Sequence, residues 1–490
     1  MPAINPVPVM KKLLSKLSIP HVFIFLSAII LFSSILTYII PSGSYKRTTK
    51  TINNIERTVV IPGTYQEIPK HYSIKGFILG GKEDGKATPT SLLGLFSAVP
   101  KGMNQAAALI FFVFIIGAVF NLIQHTGTIN VVINKLLKKF RGSPMMLTFI
   151  LYTVFAFGGT FLGMGAEFIP LIPILLLLSK EMGYDRIFGV SILLIPEGIG
   201  WATAITNPFT VQIAQQIAEL PIGSGMGYRV IMFLVLFTIG FLFLMRYGKR
   251  VKKDPSRSAM PDDPFEIDKE HEIVDEPVTK RHVWIGISAV VLFGLILFAV
   301  QTMGWGLIEM AGGFFTVGLL TILISGMSGD ESMKAFVKGL EVMIVPALIV
   351  GFARGIQVVM YEGQIIDTIL FHTASFLQEL PTALAAQGMY AFQTVMNFFI
   401  PSASGQAMVS MPLMVPLADL LGMSRQVAVL AFIAGDGFSN IIIPTNGVLM
   451  AILGIASVPF EKWFRYILPL FLLLAIIAGF FLALAVMTGY

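Results

Sequence analysis

The sequence predicts an all-α polytopic membrane protein that is built from two related halves. Hydrophobic residues make up 55% of the 490-residue chain and charged residues only 13%, against about 25% charged residues in a soluble domain. Apolar runs of about 20 residues recur from Ile19 to the C-terminus, and each can cross the ~30 Å hydrocarbon core of a bilayer. An internal repeat of interrupted apolar segments further indicates a transporter with two structural repeats.

The repeat consists of residues 163–208 and 402–447, which align without a gap at a constant offset of 239 positions. The matching residues are helix breakers and polar residues, at places where an apolar background would supply Leu and Ile. The matched pairs are Pro173/Pro412, Gly183/Gly422, Arg186/Arg425, Gly198/Gly437, Thr206-Asn207/Thr445-Asn446, Glu167/Gln406 and Glu197/Asp436. We therefore predict a re-entrant hairpin followed by a broken helix in each half.

Composition divides the chain into a first repeat (1–247), a charged cytoplasmic linker (248–281) and a second repeat (282–490). We expect about nine transmembrane helices and two hairpins. The first repeat comprises spans 19–40, 105–124, 186–218 and 226–247, an external polar segment with strand-like pieces (42–100), an amphipathic stretch (128–141) and a hairpin (143–180). Pro196, Gly198, Gly200 and Thr206-Asn207-Pro208 are expected to interrupt span 186–218. The second repeat adds a span (306–327), an amphipathic segment (364–379), a hairpin (383–420) and a broken helix (425–456).

The distribution of basic residues predicts that the two repeats have opposite orientations. Three lysines and no acid precede the first span, which places the N-terminus in the cytoplasm (Lys11, Lys12 and Lys16). No Lys or Arg occurs between Arg354 and Arg425, whereas the matching first-half segments are basic (Lys135, Lys138, Lys139, Arg141 and Lys180). Because the additional span 306–327 reverses everything after it, the C-terminus is expected outside the cell.

Composition also argues against several classes of function. The chain contains no Cys, which excludes disulfides, thiol catalysis and Cys-ligated metals. Six scattered His residues form no HExxH motif, and no pairing of a nucleophile with a base stands out, so we expect no enzyme and no cofactor. The chain contains no ATP-binding motif, so the energy for active transport would have to come from an ion gradient or from exchange. Polar residues cluster in two related patches rather than in a continuous stripe, which favours a transporter over an ion channel. The expected partners are the lipid bilayer and a small-molecule substrate, and nothing indicates a nucleic acid.

The predicted binding site lies where the two hairpin tips and the two broken helices converge. A broken helix in a membrane frees backbone groups that must face protein, water or a ligand, and helix N-termini attract anions. Asn and Thr side chains both donate and accept, so they can bind a carboxylate or coordinate Na⁺, although a single Asn-Thr pair could merely cap a break. The candidate substrate-binding residues are Gly163, Gly165, Glu167, Thr206, Asn207, Ser402, Ser404, Gln406, Thr445 and Asn446.

Three carboxylates stand in otherwise apolar segments: Glu167, Glu197 and Asp436. Ionisable groups at such depth are candidate cation ligands or proton carriers. We assign ion coupling to Glu197 and Asp436 with Asn207 and Asn446, for H⁺ or for Na⁺, the one metal ion expected. Arg354 is a further candidate for the substrate carboxylate, or else it pairs with a structural acid or extends towards the interface. Because the four site segments contain acids but no Lys or Arg, an amino acid-like substrate is expected to bind better than a plain dicarboxylate.

These motifs resemble the YfcC/DcuC group, the C4-dicarboxylate anaerobic carriers of the ion transporter superfamily. The resemblance is carried by Gly163-Met164-Gly165, Thr206-Asn207-Pro208, Ser402–Gln406, Gly435-Asp436-Gly437 and Pro444-Thr445-Asn446-Gly447. It implies a homodimeric secondary transporter of the bacterial inner membrane, in which a scaffold domain stays still while a transport domain carries substrate like an elevator. Members are assigned C4-dicarboxylate transport or arginine/ornithine exchange. The two tips differ from the Ser-Asn-Thr tips of the related divalent-anion/sodium symporters.

Overall fold

The structure, a computed structural model, describes residues 22–52, 55–81, 84–139, 143–263 and 278–490. Seven helical stretches in this part of the chain are long and apolar enough to cross a membrane: Ala107–His125, Pro144–Leu162, Met226–Lys253, Lys280–Val300, Leu307–Ser325, Gly329–Glu362 and Phe460–Thr488. The predicted helical fold with many spans is therefore confirmed. Residues Lys11, Lys12, Lys16 and Arg141, and residues 264–277 of the predicted linker, lie outside the described residues.

The first half consists of helices and four short strands. They are α1 (Val22–Ile39), β1 (Ser42–Ser44), β2 (Arg47–Ile52), β3 (Ile55–Val60), β4 (Gln66–Ile68), α2 (Ile74–Leu79), α3 (Leu92–Gln105), α4 (Ala107–His125), α5 (Thr128–Lys139), α6 (Pro144–Phe157), α7 (Ile172–Glu181), α8 (Arg186–Thr203), α9 (Val211–Ile217) and α10 (Met226–Lys253). A π-helical turn (Gly158–Leu162) and a 3₁₀ segment (Ala166–Leu171) join α6 to α7.

The second half is helical throughout its described part. Its helices are α11 (Lys280–Met303), α12 (Leu307–Ser325), α13 (Gly329–Val342), α14 (Ile344–Glu362), α15 (Ile366–Gln378), α16 (Thr382–Phe399), α17 (Ala403–Leu420), α18 (Arg425–Ser439), α19 (Gly447–Ile455) and α20 (Phe460–Thr488). We refer to α6–α7 as hairpin 1, α8–α9 as broken helix 1, α16–α17 as hairpin 2 and α18–α19 as broken helix 2. The connections 204–210 and 440–446 are break 1 and break 2.

The same packing arrangement occurs in both halves. Helices α3 and α4 have 14 and 19 residues, and so have α13 and α14. Helix α3 packs along α14, and α13 packs along α4. In each half both hairpin helices pack on the long part of the broken helix, α8 or α18, and these two long helices pack on each other. A Cβ on Gly437 would overlap the backbone nitrogen of Ala202, so only glycine permits this crossing.

Two details of the prediction are wrong. Helix α8 continues through Pro196, Gly198 and Gly200, and only residues 204–210 break it. The glycines serve close packing instead, because a Cβ on Gly200 would lie 2.6 Å from the carbonyl oxygen of Ala156. In addition, residues 92–100 of the segment predicted to be polar and external belong to helix α3, whose N-terminus is capped by Ser91.

The strand-like pieces predicted in the segment 42–100 are real strands, and they are fastened to helix α15. Strand β1 pairs with β4 and β2 with β3, both antiparallel. Both carboxylate oxygens of Asp367 on α15 accept hydrogen bonds from Arg47 at 2.9 Å, and one also accepts from the backbone nitrogen of Tyr45. The ring of Tyr65 stacks on that of Phe371, with centroids 4.2 Å apart. This segment is thus a packed part of the molecule rather than a free loop.

Candidate functional site

The tip of hairpin 1 is a tight turn that leaves no room beside Asn207. Gly163 adopts the left-handed conformation (φ 66°), which favours glycine over any residue with a side chain. A Cβ at this position would also lie 2.5 Å from Oδ1 of Asn207. The indole nitrogen of Trp201 on α8 donates to the carbonyl oxygen of Met164 at 2.8 Å. The tip is therefore held from two sides, by break 1 and by α8.

Thr206 and Asn207 of break 1 each donate a hydrogen bond to a backbone carbonyl oxygen of hairpin 1. Asn207 is fully buried; its Nδ2 donates to the carbonyl oxygen of Gly159 at 3.1 Å, and its Oδ1 accepts from the backbone nitrogen of Phe209 at 2.9 Å. The hydroxyl of Thr206 donates to the carbonyl oxygen of Phe161 at 3.1 Å. These two predicted site residues are thus engaged in fastening the break to the hairpin.

Two carboxylates lie beside this tip. Glu167 is 9% exposed, and its Oε2 accepts from the backbone nitrogen of Gly165 at 2.8 Å. A Cβ on Gly165 would lie 3.4 Å from Oε1 of Glu197, so the absence of a side chain there leaves Glu197 close to the turn. Glu197 lies near enough to Glu167 and to Asp436 for their charges to interact. Glu197 of the first half and Asp436 of the second half are thus near each other in the fold, and their role in a binding site stays a prediction.

Break 2 carries a network of amides. Oδ1 of Asn446 accepts from the backbone nitrogens of Val448 and Leu449 and so caps α19. Its Nδ2 donates to Oδ1 of Asn440 at 2.9 Å, which also accepts from Nδ2 of Asn397 at 2.8 Å. Asn397 lies near the end of α16 and donates in addition to the carbonyl oxygen of Asp436 at 2.9 Å. Hairpin 2 is thus linked to break 2 by side-chain amides.

Several buried oxygens at break 2 have no hydrogen-bond partner. Both carboxylate oxygens of Asp436, Oδ1 of Asn397 and the hydroxyl of Thr445 are without one. Asp436 and Asn397 are fully buried, and Thr445 is 3% exposed. The side chain of Asn440 lies beside the Asp436 carboxyl and interacts with it, but without the geometry of a full hydrogen bond. A buried carboxylate with so few donors is costly, so an added cation or donor at this place would be favourable.

The polar residues at the tip of hairpin 2 have different surroundings: Ser402 and Gln406 make hydrogen bonds within the hairpin, whereas Ser404 is partly exposed. Ser402 caps α17 by accepting from the backbone nitrogen of Gly405. Ser404, in the first turn of α17, is partly exposed. Gln406 is fully buried and donates to Oε1 of Gln393 at 2.7 Å, an oxygen that also accepts from Ser410 at 3.0 Å. Gln406 therefore joins the two helices of the hairpin, whereas Ser404 lies at the tip and is accessible.

Arg354 lies on α14, one helical turn beyond Val350. Val350 contacts the start of α19, since a Cβ on Gly447 would be 3.3 Å from its Cγ1. The Nε atom of Arg354 is buried without a hydrogen-bond partner. Its charge interacts with Tyr361, further along the same helix. Helix α14 thus contacts the start of α19 one turn before Arg354, and no acid among the described residues is paired with the Arg354 side chain.

The matched arginines Arg186 and Arg425 are the first residues of the two broken helices. Each donates a hydrogen bond to the C-terminus of the short helix in the other half. Nη1 of Arg425 donates to the carbonyl oxygen of Ala218, the C-cap of α9, at 2.9 Å. Nη1 of Arg186 donates to the carbonyl oxygen of Ala456, the C-cap of α19, at 3.3 Å. Each arginine thus places a positive charge at the C-terminus of the other half's short helix, where cations are favourable.

Three residues of the site were missed in the sequence: Gln393, Asn397 and Asn440. Gln393 and Asn397 are four positions apart within the apolar helix α16, so they share one face. Polar residues with this spacing in an apolar hairpin are a usable signal. Asn440 carries no comparable signal, because only the folded break brings it between Asn397 and Asn446. The described residues contain no group of three or more His, Cys, Asp or Glu that could hold a metal ion.

Comparison with known proteins identifies the family. The model of the DcuC family, C4-dicarboxylate anaerobic carrier, matches residues 19–487. The chain belongs to this family. Among relatives of this DcuC-family chain, the Putative basic amino acid antiporter YfcC of Escherichia coli (strain K12) is 34% identical over 502 residues, which cover 96% of this chain and 97% of that protein.

Two further proteins are similar to this chain. An uncharacterized protein of Haemophilus influenzae is 28% identical over 510 residues, covering 95% of this chain and 97% of that protein. Among solved structures, the YdaH transporter of Alcanivorax borkumensis aligns at 17% identity with a TM-score of 0.42, covering 96% of this chain and 99% of that one. Membership of this family, together with the apolar helices described above, identifies the chain as a multi-pass membrane transporter.

Proposed function

We propose that this chain is a secondary active transporter of a small, amino acid-like metabolite whose cationic group faces Asp436. The observation that carries the proposal is the set of buried oxygens without partners at break 2, on Asp436, Asn397 and Thr445. An ammonium group is a compact cation with three hydrogen-bond donors, and it could supply both the charge and the donors that these oxygens lack. Opposite charges about 4 Å apart gain roughly 4 kcal/mol at an effective dielectric of 20.

The carboxylate of such a substrate would meet different groups. Helix α17 begins at the tip of hairpin 2, and helix α19 begins directly after break 2. The N-termini of helices favour anions. The accessible hydroxyl of Ser404 and the guanidinium of Arg354 are further candidate donors. One carboxylate can be satisfied by these groups, whereas the second carboxylate of a dicarboxylate would have to lie near Asp436 or Glu197.

The relative named as a putative basic amino acid antiporter supports exchange of amino acids as the mode of transport. The family description supports a second candidate, a C4-dicarboxylate. That substrate would require a coupling cation beside Asp436 and Glu197 to reverse the local charge. In either case we propose that Asp436 and Glu197 bind H⁺, Na⁺ or the cationic part of the substrate.

We further propose an elevator mechanism in a bacterial inner membrane. The two hairpins and broken helices would form the transport domain, and α1, α3, α4 and α11–α14 the scaffold of a homodimer. The reciprocal packing of α3 with α14 and of α13 with α4 supports two inverted repeats. In this orientation the N-terminus lies in the cytoplasm and the C-terminus outside.

Thermal stabilisation by ligands tests the proposal. The purified protein would be heated with amino acids or with dicarboxylates, each with and without Na⁺. We expect ornithine or arginine to raise the melting temperature of the wild type, and Asp436→Asn to weaken their binding by about tenfold to a thousandfold. The control Asp330→Asn removes an exposed carboxylate on α13 and should leave binding unchanged. Stabilisation by fumarate alone, of equal size in both variants and the wild type, would refute the proposed role of Asp436.

A further inference from the structure

A groove between α5 and α11 ends in an apolar cavity beside hairpin 1. The inner cavity has a volume of about 200 Å³ and is lined by α4, α5, α11 and α12, and by Pro170, Leu171 and Ile174 of hairpin 1. A second cavity of about 330 Å³ follows between α5 and α11. The two share Val132, Gly286 and Val290 in their lining, so they form one continuous groove.

The groove opens to the membrane side and has a basic mouth. Val290 is 72% exposed at its rim. Lys135 and His282 line the outer cavity, and Lys280 is an exposed residue two positions before His282. Nδ1 of His282 accepts from the backbone nitrogen of Thr279, so its Nε2 carries the proton and can donate. None of the described residues that line either cavity is acidic.

We propose that this groove binds an anionic phospholipid, with one acyl chain in the inner cavity and the phosphate at Lys135, Lys280 and His282. The inner cavity is too small for a helix of a second copy, since a helix with its side chains is about 10 Å wide. A hydrocarbon chain fits an apolar groove that opens to the membrane, and basic groups beside membrane helices attract anionic headgroups. The groove thus has the size and the charge of a lipid site.

The bound lipid contacts the element that carries Glu167. Pro170 and Leu171 of the inner cavity belong to the same 3₁₀ segment, Ala166–Leu171, as this carboxylate. The acyl chain would therefore fill the space between hairpin 1 and the helices α4, α11 and α12. The inference rests on the membrane location of the chain and does not depend on the proposed substrate.

Native mass spectrometry of the full-length protein, purified in mild detergent, tests the site. Phosphatidylglycerol and phosphatidylcholine are added in turn, and the bound lipid per chain is measured. We expect retention of one phosphatidylglycerol, with the double variant Lys135→Ala/Lys280→Ala binding it about 25-fold more weakly, or about fivefold for each basic residue near the headgroup. The control Lys334→Ala removes an exposed lysine of α13 that lines neither cavity and should bind normally.

A matched pair of glycine variants on α11 tests the acyl-chain cavity. Gly286→Leu fills the neck between the two cavities and should abolish retention. Gly294→Leu adds the same side chain where nothing lies within 4 Å and should have no effect. Equal retention of both lipids, or equal retention by both glycine variants, would overturn the proposal. A change in the number of chains per particle with Gly286→Leu, without a change in bound lipid, would show an interface between copies and would overturn it as well.

Discussion

The two equivalent amides Asn207 and Asn446 should respond differently to substitution by alanine. Asn207 is fully buried and makes two hydrogen bonds, to the carbonyl oxygen of Gly159 and from the backbone nitrogen of Phe209. Asn446 is partly exposed and caps α19. From sequence alone, each substitution is expected to abolish uptake without affecting stability. From the structure we expect Asn207→Ala to lose mainly stability, and Asn446→Ala to lose substrate binding with a smaller loss of stability.

The expected losses in the free energy of unfolding follow from these contacts. Asn207→Ala removes two buried hydrogen bonds, each worth about 1 kcal/mol, and leaves buried groups without partners at about 1–3 kcal/mol each. A loss of roughly 2–4 kcal/mol is therefore expected. Asn446→Ala removes an N-cap, which costs about 1 kcal/mol. Its other partner, Oδ1 of Asn440, keeps the hydrogen bond from Asn397 at 2.8 Å.

Unfolding in mixed micelles with increasing SDS, followed by tryptophan fluorescence, measures both losses. Substrate binding is measured on the same preparations. The control Asn104→Ala changes an exposed amide on α3 and should match the wild type in both assays. Asn207→Ala should be the less stable variant, and Asn446→Ala should bind substrate more weakly while remaining folded. Equal stability of the two variants would refute the assignment of Asn207 to the support of hairpin 1.

Three further outcomes are expected. Arg186→Gln should lower the melting temperature more than Arg425→Gln, because the side chain of Arg186 is 16% exposed and that of Arg425 33%; the reverse order would show that burial does not decide the strength of these two caps. Asp436→Asn should stabilise the substrate-free protein, since a buried carboxylate without partners is costly, and a lower melting temperature would show a structural partner. In this cysteine-free chain, Glu181→Cys should react with an impermeant maleimide from the cytoplasm and Leu420→Cys from outside; labelling of both from one side would refute the inversion.

The order of the hairpins and broken helices could be predicted because helix breakers stand out in apolar sequence. The predicted hairpin 383–420 and broken helix 425–456 agree closely with α16–α17 and α18–α19. Pro196 was misread, because a proline within a buried helix is tolerated when neighbouring helices pack around it. Helix α3 was missed because it begins within a segment that reads as polar.

The different hydrogen-bond partners of the two breaks could not be predicted from the repeat. Identical Thr-Asn pairs predict identical roles, but hydrogen-bond partners depend on the surrounding backbone. In the first half the π-helical turn of hairpin 1 offers carbonyl oxygens to Thr206 and Asn207. In the second half, amide side chains surround Asn446 instead. Only the folded chain reveals that neither carboxylate oxygen of Asp436 accepts a full hydrogen bond.

Competition of uptake in proteoliposomes tests the central claim most directly. Uptake of radiolabelled arginine and, separately, of radiolabelled fumarate is measured with each unlabelled compound, ornithine, succinate and neutral amino acids as competitors. We expect amino acids to compete better than succinate or fumarate, and Asp436→Asn to lose more affinity for them than for any dicarboxylate, because only an amino acid places a cation beside that carboxylate. Strong inhibition by fumarate, with none by arginine, ornithine or neutral amino acids, would contradict the account.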